Sequence, residues 1–264
     1  MEEKKGLERR DFLKLGLAGL AVAAAGPTLA GRRDSKADAT KPNKSSHSWA
    51  MVIDQSKCIG CGHCTETCKA NNDIHPDIEW TRLEESDEVD GVKTYLPIPC
   101  QHCRDAPCIH YCPANATYRR DDGIVMMDYE RCFGCRYCVV ACPYGARSFN
   151  WETFDGENPA VPAWGIPEVA RRPRGVVEKC SFCYQRIDRG LEQGLTPGVD
   201  QAATPACVVA CPMGARIFGD LNDPDSPASK ALANQASFRL KEGLGTEPRI
   251  YYLPICEHTH EEES

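Results

Sequence analysis

All but one of the seventeen cysteines in this 264-residue chain fall into four groups of fixed spacing, and nothing else limits the possible folds as tightly. The first group is Cys58, Cys61, Cys64 and Cys68, spaced C-x2-C-x2-C-x3-C. The third, Cys132, Cys135, Cys138 and Cys142, repeats that spacing and is followed by Pro143. The second, Cys100, Cys103, Cys108 and Cys112, is a stretched version followed by Pro113. The fourth is split: Cys180 and Cys183, a long insertion, then Cys207 and Cys211 with Pro212 next. Cys256 is left over.

The spacing has a physical logic. Three cysteines two residues apart sit on a loop that curls around one iron–sulfur cubane, and the fourth, three residues on and followed by Pro, is expected to open a helix and reach a different cluster. Four such runs supply the ligands of four [4Fe–4S] clusters, arranged as two double-cluster units. Structural zinc combines two separated C-x2-C pairs without the following C-x3-C-P. Cysteines two residues apart rarely bridge one another, so disulfides leave the fourfold regularity unexplained. Cysteine at this density also substitutes for a large core, in keeping with only 8% aromatic residues. The net charge of −7 and the lack of a basic stripe set nucleic-acid binding aside.

The flanking sequence reads as short strands and turns. Thr117 to Arg119, Asp122-Gly123 and Ile124 to Met127 form a hairpin running into the third group. A second hairpin is expected to join Ile78–Leu83 to Lys93–Ile98 across Asp90-Gly91. Short strands are expected at Arg147–Asn150 and Ile217–Gly219, and a helix at Ser226–Gln235 that begins a C-terminal extension ending near Tyr251-Tyr252-Leu253-Pro254. Gly60, Gly62 and Gly134 lie between ligands, where the backbone must approach a cluster closely. The stretches Trp151–Arg174 and Asp188–Ala206 read as insertions suited to docking partner subunits.

The N-terminus carries Arg9-Arg10-Asp11-Phe12-Leu13-Lys14 and then an apolar run from Leu15 to Ala25. This resembles a twin-arginine export signal, with Thr28-Leu29-Ala30 as the cleavage site and Gly31 as the start of a polar arm. The run is too short to span a bilayer comfortably. Because that route is understood to carry folded cargo, export does not force the cysteines into disulfides. The protein is expected at the periplasmic or extracytoplasmic face of the membrane.

The order of the groups, the split fourth group and the phrases Cys132-Phe133-Gly134-Cys135-Arg136-Tyr137-Cys138 and Pro143-Tyr144-Gly145-Ala146-Arg147 resemble the four-cluster iron–sulfur subunits of the complex iron–sulfur molybdoenzymes. That family includes subunits of dimethyl sulfoxide, polysulfide, thiosulfate, tetrathionate and nitrate reductases, with NrfC-, QrcC- and DsrO-type relatives. The resemblance covers about residues 49 to 254. It implies an α+β fold of two ferredoxin-like double-cluster domains, the second and third groups inserted between the first and fourth. The expected boundaries are 1–30 signal, 31–48 arm, 49–91 with 170–222 as one unit, 92–150 as the other, 151–169 insertion loop and 223–264 extension.

The resemblance also implies the ligand sets. One cluster takes Cys58, Cys61, Cys64 and Cys211; its neighbour takes Cys68, Cys180, Cys183 and Cys207. A third takes Cys100, Cys103, Cys108 and Cys142; the fourth takes Cys112, Cys132, Cys135 and Cys138. Relatives with Trp in place of the second cysteine of the third group hold a three-iron cluster; Cys135 here implies four irons. The implied role is a non-catalytic relay of single electrons, between a membrane quinone-reactive NrfD-like subunit nearest the Cys132 cluster and an exported molybdopterin or cytochrome-type partner. The alternative is a self-contained iron–sulfur oxidoreductase with its own substrate site. The chain shows no nucleotide-binding glycine motif, zinc-protease motif or nucleophile–base pair.

Arg131, Arg136, Lys57 and Lys179 adjoin ligands and are candidates for raising cluster potentials, although surface or interface charge is the plainer reading of each. His63, His102 and His110 are candidates for hydrogen bonds to cluster sulfurs. Cys256, His258 and His260 in the acidic tail have ligand-like composition, but a free thiol in a terminus accounts for Cys256.

Overall fold

In the computed structural model, which describes residues 45–89 and 92–255, the chain turns on one central strand, β1 (Trp49–Asp54). All six of its residues are buried, as expected of a strand covered on both faces. Its side chains divide by the two-residue period of the pleat. Trp49, Met51 and Ile53 enter the main core with the cysteines, whereas Val52 packs with Ala228 and Leu253 in a small second core. The expected export signal, most of the expected polar arm and Cys256, His258 and His260 lie outside the described residues, which all belong to one compact unit, 37–264.

Strand β1 is flanked on one side by the strand that follows the fourth cysteine group and on the other by the last strand of the chain. The antiparallel neighbour, Arg216–Asp220, pairs Met51 with Phe218; the parallel neighbour, Ile250–Leu253, pairs Ile53 with Tyr252. The C-terminal extension is therefore part of the core sheet rather than an appendage. Tyr252 is fully buried, donates from its hydroxyl to the Pro97 carbonyl at 3.0 Å and accepts from Gln101 Nε2 at 3.3 Å. Just before it, Arg104 N and Asp105 N donate to the carbonyls of Glu247 and Thr246, tying this segment to the second cysteine group.

The remaining strands form two-stranded ribbons. β2 (Thr81–Val89) pairs antiparallel with β3 (Val92–Pro99), an irregularity falling between Ser86 and Val89. Ile78 lies in a turn before β2, so the hairpin starts three residues later than the sequence suggested; Asp90 and Gly91 lie outside the described residues. β4 (Thr117–Arg119) pairs with β5 (Val125–Met127) in the expected hairpin. β6 (Ser148–Phe149) pairs with β7 (Val177–Glu178), which leads into the fourth group. The strand Arg216–Asp220 is then β8 and Ile250–Leu253 is β9.

The helices correct one expectation. The first, α1 (His63–Asn71), opens before the third cysteine of its group and contains both Cys64 and Cys68. The short helices α2 (Pro107–His110) and α3 (Tyr137–Val140) likewise contain Cys108 and Cys138, with Cys112 and Cys142 just past their ends. The spacing C-x3-C is i,i+4, which on a helix stacks two side chains on one face. After Cys112, Cys142 and Cys211 the following Pro lacks an amide to continue the ladder and stops the turn, whereas Lys69 follows Cys68 and that helix runs on to Asn71. The helix thus opens one residue before the third cysteine, and the fourth sits one turn after it.

Part of the expected insertion at 188–206 is also ordered, because α4 (Tyr184–Glu192) runs on from Cys183 and a short turn precedes α5 (Ala206–Val209). The helix α6 (Pro227–Asn234) appears where the sequence placed it. The Ser226 Oγ caps it by accepting from Ser229 N at 3.2 Å, and Pro227 occupies the first helical position. No helix among the described residues is long and apolar enough to cross a membrane.

Candidate metal centres

Each cysteine group begins with the same backbone device. The residue before the second cysteine has a left-handed conformation in all four: Gly60 (φ 69°), His102 (φ 43°), Gly134 (φ 77°) and Phe182 (φ 57°). A positive φ is uncommon outside glycine, and its recurrence at one loop position marks a constrained site. At Gly60 and Gly134 glycine is also required by space. A Cβ there would lie 2.5 Å from the Tyr95 ring or 2.2 Å from the Gly175 carbonyl oxygen. At the other two positions the side chains meet: His102 and Phe182, both buried, stack with ring centroids 3.8 Å apart.

These loops bring the thiols together across the groups. One cavity of about 380 Å³ is lined by Cys58, Cys61, Cys64 and Cys211, with Ile59 and Met213 on its walls. A second, of about 280 Å³, is lined by Cys112, Cys132, Cys135 and Cys138. In the interior, burial first and then Cys183, Cys180 and Cys207 push the Cys68 thiol well up. Burial likewise raises Cys103, and its neighbouring thiols are Cys100, Cys108 and Cys142. The sixteen cysteines among the described residues are all free, and each belongs to one of these four sets.

The sets also have neighbours. Cys207, pushed up to about 12 chiefly by burial, feels Cys64 of the first cavity as well as Cys183. Cys180 feels Cys100. Cys138 feels Cys108. Neighbour relations therefore run from the Cys58 set to the Cys68 set, on to the Cys100 set and finally to the Cys132 set. Exposure follows the same order: Cys58, Cys61, Cys64 and Cys211 are all at least partly open, Cys68, Cys180, Cys183 and Cys207 are all buried, and the last set is again mostly part-open.

Thiols that are buried and repel one another ionise only if a strong positive charge joins them. Among the described residues no three His, Cys, Asp or Glu side chains converge on the space of a single metal ion. Two of the donor sets line cavities, and their all-thiol chemistry suits a larger, sulfur-loving group such as an iron–sulfur cluster. Polar donors already point at the sulfurs. Thr117 N and Ala215 N donate to Cys112 and Cys211 at 3.4 and 3.3 Å, and Asn72 Nδ2 reaches Cys68 and Cys183 at 3.6 and 3.7 Å.

Of the four cations singled out from sequence, three are engaged at the surface. Lys57 pairs with Asp54 at 2.9 Å, Arg131 pairs with Asp128 at 3.0 Å, and Arg136 lies over Trp151. Only Lys179 is buried, at 1% exposure. The histidines are engaged elsewhere than on sulfur. His102 Nδ1 accepts from Val125 N, His110 pairs with Asp105, and His63 packs on Trp164. Two arginines not singled out from sequence reach the thiols directly. Arg147 Nη2 is 3.0 Å from Cys108 Sγ, and Arg216 Nη1 is 3.7 Å from Cys207 Sγ. A signal was present, since both end the phrase Cys-Pro-x-Gly-Ala-Arg, at Cys142–Arg147 and Cys211–Arg216.

Comparison with known proteins points to the same iron–sulfur chemistry. Residues 92–158 match a 4Fe-4S dicluster domain and residues 49–70 a 4Fe-4S binding domain. An iron–sulfur subunit assigned to dimethyl sulfoxide reductase in Halobacterium salinarum is 46% identical over 78% of this chain and 78% of its own length. The chain belongs to the iron–sulfur subunit family of the complex iron–sulfur molybdoenzymes and their relatives. The menaquinone reductase iron–sulfur cluster-binding subunit of Nitratidesulfovibrio vulgaris is 40% identical, covering 78% of this chain and 88% of that one. An Hdr-like menaquinol oxidoreductase iron–sulfur subunit of Archaeoglobus fulgidus is 34% identical over 94% and 98%. Members of the family are electron-transfer subunits and not the catalytic ones, and the ferredoxin-like α+β character of this chain follows that pattern.

Proposed function

We propose that this chain holds four [4Fe–4S] clusters and relays single electrons between a membrane quinone- or quinol-reactive NrfD-like subunit and an exported oxidoreductase partner. The assignment is Cys58, Cys61, Cys64 and Cys211 for one cluster, and Cys68, Cys180, Cys183 and Cys207 for the next. Cys100, Cys103, Cys108 and Cys142 hold the third, and Cys112, Cys132, Cys135 and Cys138 the fourth. When bound, such clusters accept and release one electron at a time. The first and fourth cysteine groups then form one double-cluster unit, 49–91 with 170–222, and the second and third form the other, 92–150.

One observation carries most weight: the thiols fall into four sets in series, open at both ends and buried in the middle. A relay needs that arrangement, because electrons must enter and leave at partner interfaces while the interior excludes water. The chain's own residues serve the route by fixing sulfur positions on the four left-handed loops and the i,i+4 helical turns. Exposed apolar residues surround both open sets. Ile59 and Met213 flank the Cys58 set; Phe133, Tyr137 and Val140 flank the Cys132 set. Such patches beside a redox group suit subunit contacts.

The relatives support the partners by class. A subunit of a menaquinone reductase favours a quinone-reactive membrane partner, and a dimethyl sulfoxide reductase subunit favours a catalytic molybdopterin partner. Export by the twin-arginine route would place the subunit on the extracytoplasmic face of the membrane, carried across already loaded with clusters.

The deciding measurement is iron and acid-labile sulfide per chain, with electron paramagnetic resonance of the dithionite-reduced protein, purified anaerobically from the exported fraction. Close to sixteen of each, with interacting S = 1/2 signals, is expected from the sixteen thiols. Zinc in place of iron, or about half that iron, would overturn the four-cluster relay.

A further inference from the structure

Among the described residues, Arg147, Arg216 and Lys179 are buried cations without an ion pair to a carboxylate, whereas a fourth, Arg249, has Asp122 in its field. Arg147 and Arg216 are each 4% exposed and Lys179 is 1% exposed. Arg147 donates to Thr117 Oγ1 at 3.2 Å, Met127 Sδ at 3.0 Å and Cys108 Sγ at 3.0 Å, and the Cys138 thiol lies within its field. Arg216 reaches Met51 Sδ at 3.6 Å and Cys207 Sγ at 3.7 Å; its Nη2 is buried with no hydrogen-bond partner, and Cys64 lies within its field. Lys179 Nζ donates to the carbonyls of Val125 and Cys180, and the thiols that face it are Cys100, Cys180 and Cys108.

A buried charge without a counter-charge is strongly destabilising, so these three must find theirs. Burial works against the charge of all three. The neighbouring thiols oppose burial at all three, joined at Arg216 by the Tyr252 phenol, and the balance favours the charge of both arginines; at Lys179 the Arg147 charge adds to burial, and the amine is held below its ordinary value. Each cation also touches or faces two of the thiol sets at once. Arg216 stands between the Cys58 and Cys68 sets, Lys179 between the Cys68 and Cys100 sets, and Arg147 between the Cys100 and Cys132 sets. One buried cation therefore occupies each of the three junctions of the series.

We propose that Arg216, Lys179 and Arg147 are junction cations, each favouring an added electron on both of the clusters that flank it. Low dielectric penalises the extra negative charge of a reduced cluster, and the penalty is largest for the two interior ones. A fixed positive charge at each junction offsets it, so the interior steps stay within reach of the two ends. The duplicated Cys-Pro-x-Gly-Ala-Arg phrase supplies the outer two cations by the same local turn, while Lys179 serves the single junction between the two units. This inference rests on the four-cluster assignment above.

The test uses the full, cluster-loaded protein and a redox titration followed by electron paramagnetic resonance. Iron is counted first. Fewer than four clusters in the unaltered protein would overturn the four-cluster assignment, independently of any potential. With the count secure, two variants are made at each junction. Charge is removed in Arg147→Gln, Arg216→Gln and Lys179→Met, and retained in Arg147→Lys, Arg216→Lys and Lys179→Arg.

The expected result for charge removal is a fall of about tenfold or more in the reduction equilibrium of the two flanking clusters, about 59 mV for a one-electron couple. The remaining clusters and the charge-retaining variants stay within about threefold of the unaltered protein, less than about 30 mV by the same constant. Unchanged potentials after charge removal would overturn the proposal, as would equal shifts in both kinds of variant, which would mark a packing role. If a charge-removing variant loses iron, the charge-retaining one decides. Full iron there supports the need for charge; loss in both overturns it.

Discussion

Gly62 and Gly134 form a matched pair for testing how tightly the cluster loops are built. Both have φ of 77°, so alanine incurs the same left-handed strain at each, about 1–2 kcal/mol. The entropy that alanine removes from the unfolded chain is also the same and cancels in the comparison. Only the surroundings differ. Among the protein's own atoms a Cβ at Gly62 would meet nothing within 4 Å, whereas one at Gly134 would lie 2.2 Å from Gly175 O and 2.9 Å from Phe149 Cε2. To relieve that overlap the Gly175 backbone must move by about an ångström, which is overpacking of the kind that costs about 1–3 kcal/mol. Gly175 N donates to Asn150 O at 2.8 Å and Asn150 N donates to Val176 O at 2.9 Å, so the shift strains a turn worth about 1 kcal/mol per bond. Gly134→Ala should therefore exceed Gly62→Ala by about 2–4 kcal/mol, a factor of roughly 30 to 1,000 in the opened population. Because a cluster protein unfolds irreversibly, the assay is the rate at which visible absorbance bleaches in guanidinium. Equal bleaching rates for the two variants would refute the assignment of the cost to Gly175.

Cys61 is exposed and Cys183 is fully surrounded, so Cys61→Ser should cost at most the cluster of its own set and leave the rest of the iron, whereas Cys183→Ser should fail to accumulate as folded protein; iron per chain and yield decide. Asp54 is buried, which alone would raise its carboxyl, but bonds from Ser56 and the Lys57 charge hold it below 3.8. A depressed folded value means the carboxylate contributes stability above the unfolded value and loses it as pH falls through the folded one. The gap in bleaching rate between the unaltered protein and Asp54→Asn should thus be widest near neutral pH and close below about pH 4. Val140 is 86% exposed beside the Cys132 set. Val140→Glu should leave iron content and potentials unchanged and abolish co-purification with the membrane partner; full co-purification would remove this face from the interface. Replacing Arg9 and Arg10 together by lysine should hold the protein in the cytoplasm with its clusters, as fractionation and iron analysis would show.

The spacing of the cysteines already contained the chemistry. Two- and three-residue gaps are local, so the ligand loop could be read from Cys132 to Cys138 without any tertiary information, although the helix was expected to open at the fourth cysteine and opens before the third. Hairpins with a clear turn, such as Thr117–Met127, were legible for the same reason. Less legible was anything depending on residues far apart in the chain. β1 is a run of five apolar residues and Asp54 with no turn signal of its own, and it becomes a central strand only because β8 and β9 arrive from more than 160 residues away. The C-terminal strand looked like an extension because sequence does not reveal which edge a late segment will fill.

Charge shows the division most clearly. In sequence Lys57, Arg131, Arg136 and Lys179 are equivalent, each adjoining a ligand, and Arg147 and Arg216 are farther off. Burial is a property of the assembled core, and it left three of the near cations in solvent or on surface partners while enclosing Lys179, Arg147 and Arg216. The sequence alone determined which atoms can bind iron, since ligand identity and local spacing are covalent facts. The tertiary structure decided which thiols face one another, which sets lie open to partners and where the buried charges stand, because those depend on contacts that exist only once the chain has folded.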